Sequence, residues 1–295
     1  MATRNNQLII RTGTPGSGIV RILAVVGALA LIAVLALSTS SQGSNTVYLP
    51  LQIRQAHDFT SAPLGNNFNV VTAITHAGDP RLFVGQRTGE IYVIQPDGTQ
   101  AMFLDLSDIV LSGGSEYGLY DIAFHPDFVA NGLMYVSYTG HVEERVYLTL
   151  SRFRVEHGAN TVDPATMADL MLISQWTDLH KGGGLDFDQR TGVLYMGVGE
   201  DTDIKLAQDP QSLKGKVLRL EVDDLPEDFT GNGVGEIDIE VLALGFRNPW
   251  RIDVDEKTDL LYVADVGSGN WEEVNVGQVD VRGANFGWPC YQGPD

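Results

Sequence analysis

The sequence predicts an all-β fold, a β-propeller, on three observations. A strand–turn–strand unit recurs along the chain, glycine is abundant, and no amphipathic helical run appears beyond the N-terminal segment. The clearest unit runs from Thr177 to Asp201: a glycine run, a short strand, a polar turn, and a second strand ending in Gly199-Glu200-Asp201. A near-copy returns between Ile252 and Gly267, with Asp188 aligned to Asp255, Thr191 to Thr258, Leu194 to Leu261 and Tyr195 to Tyr262. In both, a Thr-Gly or Thr-Asp break precedes a strand rich in Val, Tyr or Met. Weaker copies lie upstream, at Arg81 to Ile94 and Asp121 to Tyr138. A β-sandwich would also repeat hairpins, but here residue identity recurs along with alternation, which favours one blade per repeat. About four blades fit between Asp58 and Asp295, which reads as the front part of a longer propeller. Its last sheet would then expose an unpaired edge.

Composition fits one globular domain behind an N-terminal segment: 295 residues, 43% apolar, 33 glycines. The net charge of −19 understates the acidity of the domain, because Arg4, Arg11, Arg21 and Arg54 all precede the first acid, Asp58. Such a surface excludes nucleic acid and anionic membranes as partners. Ile22 to Leu37 is an uninterrupted apolar run after basic residues, shorter than the ~20 residues of a spanning helix. It reads as an N-terminal apolar helix, either a signal peptide cut near Ala36-Leu-Ser38 or a membrane anchor with its basic end inside. Either export route puts the domain outside the cytoplasm. The expected divisions are 1–40 signal or anchor, 41–57 linker, and 58–295 propeller, C-terminally incomplete. The single cysteine, Cys290, expects a partner in sequence beyond this chain or is a buried inert thiol.

Among candidate functional residues, His180 stands first, at the mouth of the best-formed repeat. Taken alone, a histidine there reads as a hydrogen-bonded loop residue rather than as a catalytic base. His125, in His-Pro-Asp-Phe, and the Asp228 to Glu236 loop read as structural; the loop lacks the alternating acids of a calcium loop. Tyr195 and Tyr262 read as core. No nucleophile elbow, phosphate loop or zinc-protease motif is present.

Six segments in order resemble the glucose/sorbosone dehydrogenases, soluble aldose dehydrogenases that use pyrroloquinoline quinone (PQQ). They are Gly118 to Phe128, His180-Lys-Gly-Gly-Gly-Leu185, Gln208 to Arg219, Gly245-Phe-Arg-Asn-Pro-Trp250, Asp265-Val-Gly267 with Glu272-Glu-Val-Asn275, and Gly283 to Pro289. Hedgehog-interacting proteins contain a related propeller. The resemblance implies a six-bladed propeller of which this chain holds about four blades. It implies His180 as the base taking the proton of an aldose's anomeric hydroxyl while hydride passes to the quinone, with the glycines after it letting the backbone approach a flat cofactor. By the same resemblance Arg247 and Asn248 contact PQQ, Glu116 lies beside it, and the carbonyls of Gly267 and Ser268 hold a calcium ion that polarises the quinone. An external electron acceptor completes the cycle. Lys214 and Lys216 are expected to fix a strand start.

The chain departs from the family at three places. Ser268 stands where proline is frequent, Glu116 where glutamine is, and Leu179 where an acid often precedes the base. Asp178 could replace that acid only through a loop shift, since neighbours on a strand face opposite ways. The last two departures keep a second expectation alive: a non-catalytic extracellular propeller that binds a protein or glycan, as hedgehog-interacting sequences suggest.

Overall fold

The computed structural model describes residues 6–11 by their backbone, and residues 68–280 and 282–293. β1 (Asn6–Arg11) falls inside the expected signal or anchor segment. The apolar run Ile22 to Leu37 and the linker 41–57 lie outside the described residues.

Among the described residues, four sheets follow one another in a propeller-like arrangement with almost no helix. Blade 1 holds β2 (Val71–Thr75), β3 (Leu82–Gln86), β4 (Glu90–Ile94) and β5 (Gln100–Asp105). Blade 2 holds β6 (Leu119–Phe124), a helical turn α1 (Phe128–Asn131), β7 (Leu133–Val142), β8 (Arg145–Arg154) and β9 (Ala168–Gln175). Blade 3 holds β10 (Gly182–Phe187), β11 (Leu194–Val198), β12 (Lys216–Glu221) and β14 (Asp238–Leu244). Blade 4 holds β15 (Pro249–Asp255), β16 (Leu260–Asp265) and β17 (Trp271–Gln278). Two-residue strands β13 (Gly231–Asn232) and β18 (Ala284–Asn285) add in parallel to β9 and β14. The last sheet does not leave β17 open as expected: β1 pairs along it antiparallel, Asn6 opposite Val276 and Arg11 opposite Trp271.

The turn chemistry explains the repeat. In blade 3 the Asp188 carboxylate accepts from Arg190 N (3.0 Å), and Gly192 N bonds the Asp188 carbonyl. In blade 4 Asp255 accepts from Lys257 N and Thr258 Oγ1, and Asp259 takes the left-handed position with φ 56°. The Arg81 to Ile94 unit is a hairpin too, β3 to β4, but it sits one strand further out than the other three. The true counterpart in blade 1 is β2 to β3, whose turn carries Asp79 bonded to Arg81 N.

Strand alternation sends side chains to opposite blade interfaces. On β7, Met134, Val136 and Tyr138 pack toward blade 1, whereas Leu133 and Tyr135 pack toward blade 3. A third cluster joins blades 3 and 4 and contains Tyr195, which is buried as expected; Tyr262 is only half-buried. The inner strands are also clamped by carboxylates. Asp121 accepts from Leu185 N (3.0 Å), and Asp186 from Val254 N (2.7 Å). Arg251 on β15 reaches the carbonyls of Tyr120 (3.2 Å) and Thr72, so blades 1, 2 and 4 meet at its guanidinium.

The glycine run after His180 has a packing cause. A Cβ on Gly183 would lie 2.6 Å from the Tyr120 ring, and one on Gly184 2.6 Å from the Trp250 carbonyl oxygen. Gly184→Ala is therefore expected to cost about 1–3 kcal/mol in urea unfolding. A neutral result would show that β15 can move away freely.

Candidate active site

The site forms where the ends of β10 and β11 meet the entry to β15. Gly182 pairs with Val198, so the register carried two residues outward puts His180 opposite Glu200. The crossing is close: a Cβ on Gly199 would lie 2.0 Å from the His180 carbonyl oxygen, and His180 itself has φ 55°. A left-handed histidine is a strained residue held by its surroundings. Its Nδ1 lies 2.6 Å from Glu200 Oε1. Glu200 is fully buried and shares this one hydrogen bond with the ring; the tautomer with Nδ1–H toward Glu200 leaves Nε2 as the basic nitrogen. Glu200 Oε2 has no hydrogen-bond partner among the described residues, a cost accepted beside the one histidine it orients.

Glu200 N donates to the Arg247 carbonyl (2.9 Å), which brings the β15 entry to the base. Asn248 accepts from Gly182 N (2.8 Å) and donates to Glu116 Oε2 (3.2 Å), which also accepts from Lys181 N (3.1 Å). Arg247 donates to the Val266 carbonyl (2.9 Å), and its guanidinium lies 5.7 Å from the centre of the Trp288 ring. His180, Glu116, Arg247 and Asn248 are thus linked by hydrogen bonds through neighbouring backbone. Gly267 and Ser268 follow Val266 in the next loop. Gly267 N donates to Glu272 (3.0 Å), and Ser268 is exposed with its hydroxyl on Gln292 (2.7 Å). Among the described residues no group of three His, Cys, Asp or Glu side chains could hold a metal, and carbonyl ligation is a separate matter. Asp178 is turned away from the base, accepting from Ser115 N (2.7 Å), so it does not replace the acid absent at Leu179.

Asp265 accepts from the backbone N–H groups of both Arg247 (2.9 Å) and Asn248 (2.6 Å). Burial pushes its carboxyl up to about 7, against those two donors, and Glu273 adds to the rise. An unfolded aspartate ionises near 4. Between ~4 and ~7 the folded state keeps a proton the unfolded chain has released, so this contribution to stability falls as pH rises through that window and is level above it. Asp265→Asn is expected to flatten the urea midpoint against pH across the window. An unchanged slope would mean that Asp265 is ionised throughout.

A second centre lies beneath the base and was missed in the sequence. Asp201 accepts from Lys181 Nζ, Lys214 Nζ (2.6 Å), Trp176 N (2.8 Å), Thr177 N (3.1 Å) and Thr177 Oγ1 (3.1 Å). Its own N–H bonds the His180 carbonyl (3.2 Å). Burial would push this carboxyl up, but the two ammonium groups and backbone donors outweigh it and hold it below the usual range. Lys216 fixes the start of β12 as expected, donating to the carbonyls of Leu206, Ala207 and Lys214. His125 is structural as expected, its Nδ1 accepting from Asp127 N and Asn131. The Asp228 to Glu236 loop carries β13. Cys290 is exposed, which removes the buried-thiol alternative.

The family model described as Glucose / Sorbosone dehydrogenase matches residues 68–294. The chain belongs to the glucose/sorbosone dehydrogenase family. The Hedgehog-interacting protein of Homo sapiens is 30% identical over 210 residues, covering 61% of this chain and 29% of that protein. Quinoprotein glucose dehydrogenase B of Acinetobacter calcoaceticus is 27% identical over 297 residues, covering 90% and 60%. The chain spans only 40% of another relative, the HIPL2 protein of Arabidopsis thaliana. Among solved structures, the PQQ-bound aldose sugar dehydrogenase of Streptomyces coelicolor superposes with TM-score 0.60 at 25% identity, over 78% of this chain and 66% of that one.

Proposed function

We propose that this domain is an exported quinoprotein aldose dehydrogenase, oxidising an aldose at C1 to a lactone with an external electron acceptor. The observation that carries the proposal is the strained His180 locked on buried Glu200. A hairpin gains no stability from a left-handed histidine or an unpartnered carboxylate oxygen, whereas a general base gains orientation from both.

The residues present fit PQQ. Arg247 beside the Trp288 ring suits a flat, carboxylate-bearing group. Glu116 is an opposing charge beside these residues, and its carboxylate is taken up by Asn248 and Lys181 N. Arg247 and Asn248 would hold PQQ, and the carbonyls of Gly267 and Ser268 would hold calcium. PQQ supplies, when bound, a carbonyl that accepts hydride, which calcium would polarise. The chain's own part is proton chemistry. His180 Nε2 takes the proton of the C1 hydroxyl, Glu200 keeps the ring in that tautomer, and the carboxylate stabilises the charge the ring gains. The reading takes the four blades as part of the six-bladed propeller the resemblance implies. It places the protein outside the cytoplasm, secreted or tethered, on the strength of the Ile22 to Leu37 run.

Sugar-dependent formation of a lactone by the full chain with PQQ, calcium and a dye acceptor is the test, and an absence of product across an aldose panel counts against the enzyme. The second reading, a non-catalytic propeller for a protein or glycan, is favoured by Leu179 in place of an acid and by Glu116 bonded to the amide assigned to the cofactor.

A further inference from the structure

Glu116 stands on the loop between β5 and β6, and its carboxylate reaches two other blades. Oε2 accepts from Lys181 N (3.1 Å), next to the base, and from Asn248 Nδ2 (3.2 Å) at the entry to β15. Asn248 is only 1% exposed, and its Oδ1 is taken by Gly182 N (2.8 Å). Glu116 is half-buried, so of the two it is the carboxylate that faces an incoming ligand. The loop holds it there. Glu116 N donates to the Asp178 carbonyl (2.9 Å), Ser115 N to the Asp178 carboxylate (2.7 Å), and Arg87 Nε to the Tyr117 carbonyl (2.7 Å).

The charged groups around this carboxylate have other partners. On the His180 loop, Lys181 Nζ and, beyond it, Lys214 Nζ share Asp201, while His180 is bonded to Glu200. On the side of its own loop, Arg87 also donates to the Gly114 carbonyl, and Asp178 adds a second acid. From blade 4 come Arg247, bonded to the Val266 carbonyl, and Asp265, which accepts from the Arg247 and Asn248 N–H groups. Glu116 itself is held by two neutral donors, a backbone N–H and an amide. A cofactor carboxylate that reached the same amide would set two anions at one donor. Two carboxylates sharing a site do not both stay ionised.

We infer that Glu116 is the proton acceptor of cofactor loading: an anionic quinone cofactor seats against it only as the carboxylic acid, so the protein takes one proton from solvent as PQQ binds. The inference rests on the PQQ reading of the site. The acid O–H then donates to the cofactor's carboxylate, and the other oxygen keeps Lys181 N. Loading therefore weakens as pH rises, by up to about tenfold per pH unit where Glu116 of the free protein is ionised. A glutamine here would offer the same donor and acceptor with no proton to take up.

The test is isothermal titration of the full chain with PQQ and calcium in PIPES and in Tris, whose ionisation enthalpies differ, from about pH 6 to about pH 8. About one proton is expected to be taken up per PQQ bound, and about one fewer in Glu116→Gln, which should bind at least about tenfold more tightly at the upper pH. Binding without uptake, or an uptake unchanged in Glu116→Gln, overturns the inference and leaves the dehydrogenase reading standing. Uptake at Glu116 with no oxidation of any aldose keeps the inference and refutes the enzyme. PQQ bound by neither protein overturns both.

Discussion

His180→Asn is expected to lower aldose turnover by roughly 10²–10⁴-fold with little change in the urea midpoint. The substitution is chosen to separate chemistry from folding. Asparagine tolerates the left-handed backbone at φ 55°, and its amide nitrogen can stand where Nδ1 stands, keeping a donor on buried Glu200. What it lacks is a basic nitrogen in the place of Nε2. Alanine would remove the donor as well and leave Glu200 buried with neither oxygen partnered, mixing a stability loss of about 1–3 kcal/mol into the kinetics. Glu200→Gln is the companion variant. It keeps the shape and removes the charge that supports the ring once it carries the substrate's proton, so a loss of ~10²-fold or more is expected with KM nearly unchanged. A Glu200→Gln enzyme of full activity would show that Glu200 only fills space.

Asp201→Ala is expected to destabilise the protein by about 3–5 kcal/mol, read as a shifted midpoint in urea. The size follows from what remains behind. Lys181 is fully buried and would keep Gln175 as its side-chain partner, and Lys214 would keep only the face of the Trp176 ring. Two ammonium groups within one cluster would repel and stay desolvated. The same carboxyl gives a pH signature of known sign. It is held below the usual aspartate range in the fold, so its stabilising contribution is complete above the unfolded value near 4 and is lost as pH falls through the folded one. Acid unfolding should therefore begin at higher pH in any variant that weakens the cluster. A loss below ~1 kcal/mol for Asp201→Ala would mean that the lysines escape to solvent and that the cluster does not support the His180 loop.

Blades 3 and 4 were legible because Asp188 and Asp255 open the same turn and leave the same residues in the same places. Blade 1 was misread by one strand, since Thr88-Gly89 makes a β-turn that resembles the repeat, while the true counterpart keeps the Asp79-x-Arg81 turn but lacks the threonine that marks blades 3 and 4. His180 was legible by its place before a strand. Its partner was not, although hairpin register alone finds it: pairing Gly182 with Val198 places Glu200 opposite His180. Acids after a strand ordinarily read as solvated turn. The Asp201 cluster was further from reach, because a lysine in a loop is almost always exposed and nothing local marks Lys181 as buried. The glycine run was read as room for a flat cofactor, and its packing against the Tyr120 ring and the β15 backbone was not legible because those partners lie far away in sequence.

The most direct test is a single-turnover experiment. The full chain is loaded with PQQ and calcium, mixed with an excess of aldose in the absence of acceptor, and followed by the quinone absorbance. The account predicts sugar-dependent loss of the oxidised spectrum that is fast in the unaltered protein and at least ~10²-fold slower in His180→Asn. Stable PQQ binding with no spectral change on any aldose, or equal rates with and without His180, would contradict it.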